Sequence, residues 1–304
     1  MDKHATHARH LYPTGWSDYR LLDSGEGRKL EQFGPYRFIR PEPQALWTPV
    51  LDKQDWAAAD GVFVAGADEK GKWQLSEGLP ASWVLSFEGV RFAAMPTPFR
   101  HLGFFPEQSP HWQWTAAKIK AFRAAHKRPP KLLNLFAYSG VASLHAAAAG
   151  AEVTHLDASK KAVAQAFENR ALSGLEDAPI RFITDDALRF VAREQRRGNR
   201  YDGIMLDPPK YGRGPKGEVW QVNEHLPELL AICRGLLSEQ PLLFIATLYA
   251  IRMSTTAVHA AIADVLDGLG GEIQSGELAL QEDRPGGRAI GQALYVRWSG
   301  PDQI

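Results

Sequence analysis

The sequence predicts an α/β protein in which a doubly wound, mostly parallel sheet follows a smaller, mostly β domain. Its 304 residues exceed the length at which one hydrophobic core usually stops growing, which favours two domains. Short aromatic and β-branched runs fill the first hundred residues, and regular alternation of strands and helices follows Pro110. We therefore place a β domain, which could serve substrate recognition, at residues 1–110 and an α/β domain at 111–304.

The first domain is predicted to be mostly β because its apolar runs are short and are broken by Gly, Pro and Asp. Tyr36 to Ile39 and Val62 to Ala65 are examples. Trp83 to Phe87 and Val90 to Ala94 are separated only by Glu88-Gly89, a linker typical of a β-hairpin.

The second domain shows seven candidate strands, and helical segments are predicted near residues 140–149, 159–173, 186–197 and 222–237. Nearly continuous apolar strands that alternate with helices are typical of a parallel sheet covered on both faces. The last two strands flank a Gly- and Arg-rich loop and could pair antiparallel. The strands are Lys131 to Phe136, Glu152 to Leu156, Ile180 to Ile183, Gly203 to Leu206, Leu242 to Ala246, Gly276 to Gln281 and Ala293 to Trp298.

Composition excludes several classes of protein. Apolar residues at 44% and charged residues at 23% are globular values, which exclude disordered, collagen-like and coiled-coil chains. Lys plus Arg (35) balance Asp plus Glu (35), so a nucleic acid would need a local basic patch. The single cysteine, Cys233, excludes an intrachain disulfide and a four-cysteine zinc site. We expect a cytoplasmic protein without a membrane segment, and nothing indicates a homo-oligomer.

The turn after the first strand of the second domain is a candidate ligand site. Ala137-Tyr138-Ser139-Gly140 lies at the carboxyl end of that strand, where doubly wound sheets bind ligands. Gly140 would let a ligand approach the backbone closely. The dinucleotide motif GxGxxG is absent, because Phe136 and Tyr138 stand where glycines would be needed, which argues against NAD or FAD.

Carboxylates follow the next two strands. Asp157 ends the second strand about 20 residues beyond the first turn, where it could accept hydrogen bonds from both ribose hydroxyls. Asp185-Asp186-Ala187 follows the third strand, where a carboxylate could bind the amino group of an adenine. Each carboxylate could instead cap the helix that follows it. The three turns together favour S-adenosylmethionine as the cofactor.

The turn after the fourth strand, Asp207-Pro208-Pro209-Lys210-Tyr211, is the most specific motif. The prolines fix φ, so we expect the carbonyls to be held rigidly and to accept hydrogen bonds from a substrate. Such rigidity suits methyl transfer, which requires the nucleophile in line with the sulfonium. We predict that these five residues form the catalytic group, with Tyr211 stacking on a base. The glycine-rich segment 211–217 is either a mobile loop that closes on the substrate or a plain surface connection.

These motifs resemble those of class I S-adenosylmethionine-dependent methyltransferases. Among them, the sequence is similar to the bacterial group containing the large-subunit ribosomal RNA cytosine-C5 and guanine-N7 methyltransferases. The resemblance covers roughly residues 100 to 298 and includes Ile251-Arg252-Met253 and Phe104 to Gln108. It implies a Rossmann-like class I methyltransferase domain, with a mostly parallel seven-stranded sheet and an antiparallel last strand.

The resemblance also implies roles for individual residues. The first turn would contact the methionine part of the cofactor, Asp157 the ribose and Asp186 the adenine. Asp207 to Lys210 would contact the methyl group and the target base, and Glu107 with Gln108 would help close over the cofactor. The implied cofactor-binding residues are Gln108, Asn134, Phe136, Ala137, Tyr138, Ser139, Gly140, Asp157, Ala158, Ser159, Asp186, Ala187 and Asp207.

The chain departs from the cytosine-C5 members at one point. Those members carry a cysteine nucleophile after the fifth strand, whereas Ala246 to Ile251 contains none. Because attack at C5 requires temporary covalent addition to the ring, this departure argues against that chemistry. Cys233 shares the apolar stripe of a predicted helix with Leu226, Leu229, Leu230 and Leu236, so we predict that it is buried.

We therefore predict methyl transfer to a base nitrogen of structured, ribosomal RNA, and expect no metal because the sulfonium is already an activated donor. Two groups of cations could hold the RNA or could simply be solvated helix faces. A methyltransferase acting on a small molecule or a protein, and a catalytically silent RNA-binding protein, remain as alternatives. The cations are Lys118, Lys120, Arg123, Lys127, Arg128 and Lys131, and Arg193, Arg196, Arg197 and Arg200.

Overall fold

A computed structural model describes residues 8–66 and 71–301, and the chain divides into two compact units. The β-rich unit contains the described residues of 12–110 together with 279–291, and the larger unit contains residues 8–11, 111–278 and 292–301. The sequence predicts two continuous domains that divide at residue 110. The units of the structure are discontinuous, because 279–291 joins the β-rich unit and 8–11 joins the larger one.

Glu282 explains why the segment 279–291 belongs to the β-rich unit. Its carboxylate is buried and accepts hydrogen bonds from Ser24 Oγ at 2.6 Å and from the Arg288 N–H at 3.0 Å. The backbone beside it pairs with the same unit, since the Asp283 N–H donates to the Leu21 carbonyl at 2.8 Å. A buried carboxylate needs such partners, and one of them, Ser24, lies far away in the sequence.

The β-rich unit contains a five-stranded sheet and a hairpin. The chain starts with β1 (Arg9–Leu11), which belongs to the larger unit. The following elements are β2 (Tyr19–Gly25), β3 (Arg28–Phe33), β4 (Tyr36–Pro41), α1 (Lys53–Ala57), β5 (Gly61–Ala65), β6 (Gly71–Leu75), β7 (Trp83–Phe87) and β8 (Val90–Ala94). The sheet order is β2-β3-β4-β5-β6, and β7 pairs antiparallel with β8. Glu88 and Gly89 both have positive φ, as the predicted two-residue hairpin turn requires.

A buried ion pair joins the strands of this sheet. Arg40 donates to both carboxylate oxygens of Glu31 at 2.6 Å, and the Tyr19 hydroxyl donates to Glu31 at 2.9 Å. Burial alone would raise the pKa of Glu31, but the charges of Arg40 and Lys29 lower it below its usual value. The paired carboxylate therefore stays ionised inside the unit.

The larger unit is built on an eight-stranded sheet with the order β1-β16-β17-β15-β12-β9-β10-β11. It contains α2 (Ser109–His126), β9 (Lys131–Leu135), α3 (Val141–Ala148), β10 (Glu152–Asp157), α4 (Lys160–Leu172), β11 (Ile180–Thr184), α5 (Ala187–Arg196), β12 (Gly203–Leu206), β13 (Tyr211–Arg213), β14 (Val219–Gln221), α6 (Val222–Leu236), β15 (Leu243–Tyr249), α7 (Thr255–Val265), β16 (Glu272–Gln281) and β17 (Ala289–Ser299).

The seven predicted strands are present, and the short strand β1 adds an eighth by pairing parallel with β16. Strands β9, β10, β11, β12 and β15 are parallel, and β17 runs antiparallel to β15. The Rossmann-like α/β architecture predicted from the sequence is therefore confirmed. Among the described residues, no helix is both long and apolar enough to cross a bilayer.

The core of the larger unit lies where α5, α6 and α7 cover the sheet. Leu135, Leu206 and Ala246 are aligned across β9, β12 and β15, and all three are buried. Cys233 of α6 belongs to the same cluster, so its predicted burial is confirmed. Burial raises the pKa of its thiol to about 12, which leaves it un-ionised at neutral pH.

Gly140 connects the turn after β9 to α3 at a closely packed point. Its φ is +85°, and a Cβ atom there would lie 2.7 Å from Ala166 Cβ of α4. A glycine therefore allows the left-handed backbone conformation and the close packing of α4. The space that a side chain of residue 140 would occupy is filled by Ala166 of α4. This packing is a reason for glycine that involves no ligand, and the close approach of a ligand to the backbone of Gly140 stays a prediction.

We expect Gly140→Ala to destabilise the protein more than Gly174→Ala. Both positions have positive φ, which costs an alanine about 1–2 kcal/mol, but a Cβ at Gly174 meets nothing within 4 Å. The clash with Ala166 should add about 1–3 kcal/mol at Gly140. Chemical denaturation of the two variants measures the difference, and equal losses would show that α4 moves away without cost.

Candidate active site

The register of the parallel strands places three predicted site residues in one row. Leu135 of β9 is aligned with Leu156 of β10 and with Leu206 of β12. The residues that follow them, Phe136, Asp157 and Asp207, therefore lie at the same level at the carboxyl edge. Asp157 and Asp207 are two strand spacings apart, or about 10 Å.

This row lies at the switch point of the sheet. The chain moves outward from β9 to β10 and β11, and then returns to place β12 on the other side of β9. The turns after β9 and β12 therefore diverge to opposite faces and leave a crevice between them. Open α/β sheets bind their ligands in this crevice.

The turn after β9 has an unusual backbone. Phe136, Tyr138 and Gly140 have φ values of 57°, 46° and 85°. Positive φ is uncommon for aromatic residues and persists only where surrounding contacts impose it. Here the Ala137 N–H donates to the Leu156 carbonyl at 3.0 Å, and Asn169 Nδ2 of α4 donates to the Ser139 carbonyl at 2.9 Å. The turn is thus held by β10 and α4.

Asp157 is the centre of these contacts. Its Oδ2 accepts the Tyr138 N–H at 2.9 Å, and its Oδ1 accepts the Ser159 N–H at 2.8 Å. Burial raises the pKa of the Asp157 carboxyl above its usual value, and these two hydrogen bonds oppose that shift. The cap of α4 is Ser159, whose Oγ accepts the Ala162 N–H at 3.3 Å. Asp157 therefore organises the turn and is not the helix cap.

The donor and acceptor groups of this turn fit a ribose. A carboxylate has two oxygens with about four acceptor positions, and Asp157 uses one on each oxygen for the backbone. The remaining acceptor capacity, one position on each oxygen, matches two adjacent hydroxyls. Ala158, which is half-buried, offers little bulk beside it.

Asp186 does cap a helix, as one of the two interpretations of the sequence has it. Its Oδ1 accepts the Arg189 N–H at 3.0 Å at the start of α5, and Ala187 is buried in the first turn. The Asp185 N–H donates to the Asp157 carbonyl at 3.2 Å, which ties the turn after β11 to Asp157. Capping uses Oδ1, so Asp186 Oδ2 is the oxygen to consider for an adenine amino group.

Asn134 lies beneath the turn and not at the strand tip. Its Nδ2 donates to Ser143 Oγ at 2.9 Å, and His155 Nδ1 lies 3.0 Å from the same Oγ. Burial lowers the pKa of His155 to about 3, so its ring is neutral at neutral pH. These contacts give Asn134 a supporting position between β9 and α3.

The turn after β12 is held by the hairpin that follows it. Trp220 Nε1 donates to the Pro209 carbonyl at 2.7 Å, and the Val222 N–H donates to the Lys210 carbonyl at 3.0 Å. We expected the proline carbonyls to be available to a substrate, but the structure engages the Pro209 carbonyl internally. Asp207 is half-buried, Pro208 is buried, and Lys210 is exposed.

The glycine-rich segment 211–217 begins with strand β13 and continues into the turn of a hairpin, so the structure has regular secondary structure at its start. Strands β13 and β14 pair antiparallel, with Tyr211 opposite Gln221 and Gly212 opposite Trp220. Tyr211 is 53% exposed, whereas Trp220 is 3% exposed. Trp220 is not among the residues predicted from the sequence, because the alternation of exposed and buried residues along Val219-Trp220-Gln221 is seen only in the structure.

Several of the cations considered for RNA binding are paired within the protein. Arg128 donates to both carboxylate oxygens of Asp202, at 2.7 and 2.9 Å, at the amino end of β12. Arg193 pairs with Asp185 at 2.8 Å and Arg197 with Glu194 at 3.4 Å. These ion pairs indicate that some cations in each of the two groups belong to ordinary solvated surfaces of the protein and are not reserved for RNA.

Gln108 is the one predicted cofactor residue outside the larger unit. It ends the short 3-10 helix Pro106–Gln108, whose Glu107 is buried. Its contribution to the site stays a prediction from the sequence.

A doubly wound sheet with carboxylates at adjacent strand tips, and no glycine-rich pyrophosphate turn, defines an α/β protein of the nucleoside-binding class. The comparisons with known proteins identify the family. The chain is 48% identical to a SAM-dependent methyltransferase from Agrobacterium tumefaciens whose crystal structure is known, with a TM-score of 0.92 over 97% of this chain and 95% of that one. The chain therefore belongs to the S-adenosylmethionine-dependent methyltransferases.

Curated relatives match over shorter stretches. Ribosomal RNA large subunit methyltransferase I of Aeromonas salmonicida (strain A449) is 29% identical over 225 residues, 70% of this chain and 52% of that protein. Ribosomal RNA large subunit methyltransferase K/L of Shewanella frigidimarina (strain NCIMB 400) is 36% identical over 137 residues, 44% of this chain and 19% of that protein. The chain thus spans about half of the first relative and a fifth of the second. The family described as "Conserved hypothetical protein 95" matches residues 115–232.

We expect Asp157→Asn to weaken binding of S-adenosylmethionine. The amide cannot accept hydrogen bonds at both terminal atoms, and each hydrogen bond lost from a charged acceptor typically costs about 1.5–3 kcal/mol. Calorimetry measures the affinity. Asp23→Asn is the matched control, because Asp23 also accepts backbone N–H groups at both carboxylate oxygens, from Val50 and from Leu51. Unchanged affinity in a folded Asp157 variant would contradict the assignment.

The affinity should also depend on pH in the acidic range. Only the ionised Asp157 can accept at both oxygens, and burial raises its pKa above the usual value. Cofactor affinity should therefore be full above this raised pKa and should fall as the pH falls through it. Titration calorimetry across this range should show the loss in the parent protein and not in Asp157→Asn.

Proposed function

We propose that this protein transfers a methyl group from S-adenosylmethionine to a base nitrogen of large-subunit ribosomal RNA. The observation that carries the proposal is the row of Asp157, Phe136 and Asp207 at the switch point, where a cofactor turn and a catalytic turn face one crevice. The RNA substrate is supported by the two curated relatives, which are named as ribosomal RNA large subunit methyltransferases.

The cofactor-binding residues form three groups in this proposal. Asp157, with Ala158 and Ser159 beside it, binds the ribose. Asp186 Oδ2 and the neighbouring Ala187 bind the adenine. The turn Phe136 to Gly140 lies against the methionine part, with Asn134 supporting it from below. Gln108, which the family resemblance assigns to the cofactor, is a further binding residue.

The catalytic turn has the task of orienting a weak nucleophile. When bound, S-adenosylmethionine supplies a methyl group on a positively charged sulfur, which is already activated for transfer. The base nitrogen forms a bond to the methyl carbon, the carbon–sulfur electron pair stays on sulfur, and the nitrogen releases one proton. The chain must therefore hold the nitrogen in line and accept a proton or a hydrogen bond from it.

Asp207 is suited to this task because it is a half-buried carboxylate held at a rigid strand tip. It accepts a hydrogen bond from the amino or ring N–H of the base, together with the Pro208 carbonyl. Tyr211 is more than half exposed on the hairpin and provides a ring on which the base can stack. Lys210, which is exposed next to it, contacts a phosphate or assists proton loss.

The absence of a suitable cysteine favours nitrogen over the C5 carbon of cytosine. Cys233 is the single cysteine of the sequence, and it is buried in the core cluster that also contains Phe244 of β15. Its thiol pKa is about 12, so the thiolate needed for addition to a pyrimidine is scarce. A base nitrogen has its own lone pair and needs no covalent help from the protein.

Labelling experiments test the substrate directly. Purified protein is incubated with S-adenosylmethionine carrying a labelled methyl group and with separate fractions of ribosomal RNA, transfer RNA, protein and small molecules. Label in large-subunit ribosomal RNA, mapped to a nitrogen by nucleoside mass spectrometry, supports the proposal. Label in protein or small molecules alone would contradict it, and RNA binding without label in any fraction would indicate a catalytically silent RNA-binding protein.

We expect Asp207→Ala to lower the rate of methyl transfer by at least about 100-fold, the lower end of what a positioned acid–base group contributes. Cofactor affinity should change little, because the earlier turns hold the cofactor. Single-turnover kinetics at saturating cofactor measure the rate, and Asp177→Asn, an exposed carboxylate before β11, is the control. Transfer at the parent rate would move the reaction centre elsewhere.

We expect Cys233→Ala to keep the parent rate of methyl transfer, with a stability loss typical of a small cavity in the core, about 1 kcal/mol. Rate and denaturation midpoint are measured on the same preparation. A covalent adduct between Cys233 and RNA containing 5-fluorocytosine would contradict nitrogen chemistry.

A further inference from the structure

Trp220 contacts both turns that form the crevice. On one side, its indole N–H donates to the Pro209 carbonyl in the turn after β12, at 2.7 Å. On the other, its ring lies 4.9 Å from the ring of Phe136 in the turn after β9, at an interplanar angle of 55°. With an exposed fraction of 3%, Trp220 is a buried link between the proposed cofactor turn and the proposed catalytic turn.

The hydrogen bond to Pro209 fixes the direction of one peptide group. Pro209 has no N–H, so its carbonyl is the polar group through which the rest of the chain can hold it. The next carbonyl, of Lys210, is held by the Val222 N–H at 3.0 Å. Two consecutive carbonyls therefore tie the turn that follows Asp207 to the segment 220–222.

The same residue also orients the hairpin. Tyr211 and Gln221 share one face of the β13–β14 pair, and Gly212 and Trp220 share the other. Burial of Trp220 turns its face toward the core, so Tyr211 is presented outward. A single buried side chain thus contacts the turn that carries Asp207 and orients the hairpin that carries Tyr211.

We propose that Trp220 is a positioning residue for methyl transfer, whose indole N–H holds the Pro209 carbonyl so that Asp207 and Tyr211 are aligned with the target base. This inference rests on the proposed reaction at the Asp207 turn. It predicts a selective effect: loss of the indole N–H displaces the nucleophile from the line of transfer, while the contacts around Asp157 that bind the cofactor remain.

Trp220→Phe tests the proposal, because it keeps a ring beside Phe136 and removes the N–H. Trp298→Phe is the matched control. Trp298 is also buried in the same core, with 2% exposure, and its Nε1 donates to the Gly270 carbonyl at 2.8 Å. It pairs with Phe244 near the amino end of β15, at the edge of the sheet opposite the crevice. Both variants lose one equivalent hydrogen bond.

Trp220→Phe should lower the single-turnover rate by about 10- to 100-fold, the range produced by a small misplacement of reacting groups. Its cofactor dissociation constant should stay within about twofold of the parent value, as expected for a group that acts only in the transition state. Trp298→Phe should lose comparable thermal stability and keep the parent rate. Equal rates for the two variants, or equal losses of cofactor affinity and rate in Trp220→Phe, would overturn the inference.

Two further measurements keep the proposal testable if Trp220→Phe folds poorly or if the parent protein shows no methyl transfer. Trp220→His keeps a ring N–H and should recover part of the rate, so identical rates for the His and Phe variants would count against the proposal. Hydrogen exchange of the amides of Asp207, Lys210 and Tyr211 should be faster in Trp220→Phe than in Trp298→Phe. If hydrogen exchange at these amides is the same in both variants, Trp220 does not hold the turn after β12, whatever the substrate is. If the parent protein transfers no methyl group, the proposed function and the role of Trp220 in turnover are both contradicted.

Discussion

The carboxylate of Asp157 is the constraint on which the rest of the site depends. One oxygen holds the turn after β9 through Tyr138, and the other holds the start of α4 through Ser159. The backbone carbonyl of the same residue accepts the Asp185 N–H from the turn after β11. The turns at three successive strand tips are thus all connected through one residue. A carboxylate is needed here because the Tyr138 and Ser159 N–H groups both donate, one to each oxygen.

The backbone strain that accompanies this arrangement lies in the turn after β9. Phe136 and Tyr138 adopt positive φ, which is unfavourable by about 1–2 kcal/mol for each residue with a side chain. The strain persists because β10, α4 and Asp157 each contribute a hydrogen bond to the turn. Such a turn is rigid before any ligand arrives, which suits a site that must hold two reactants in a fixed relative position.

The sequence was sufficient for the architecture of the larger unit because alternation of strands and helices is a local property. It also located the strand-tip residues, since carboxyl ends of parallel strands meet at one edge. Contacts between distant residues were not predictable in this way. The Trp220 bond to Pro209, the joining of 279–291 through Glu282, and the extra strand β1 all depend on partners that no local pattern identifies. Asp186 shows a further limit, because its carboxylate is suited to capping and to adenine binding alike.

The pairing of β1 with β16 affects the order in which the molecule can fold. Residues 9–11 pair with Gly276 to Leu278, a strand that lies more than half of the sequence away from them. The β-rich unit likewise waits for 279–291 before Glu282 is enclosed. Each unit is completed only when residues from 276–291 join it, through contacts of very large sequence separation. Contacts of this kind slow folding and leave the earlier segments dependent on protection from aggregation.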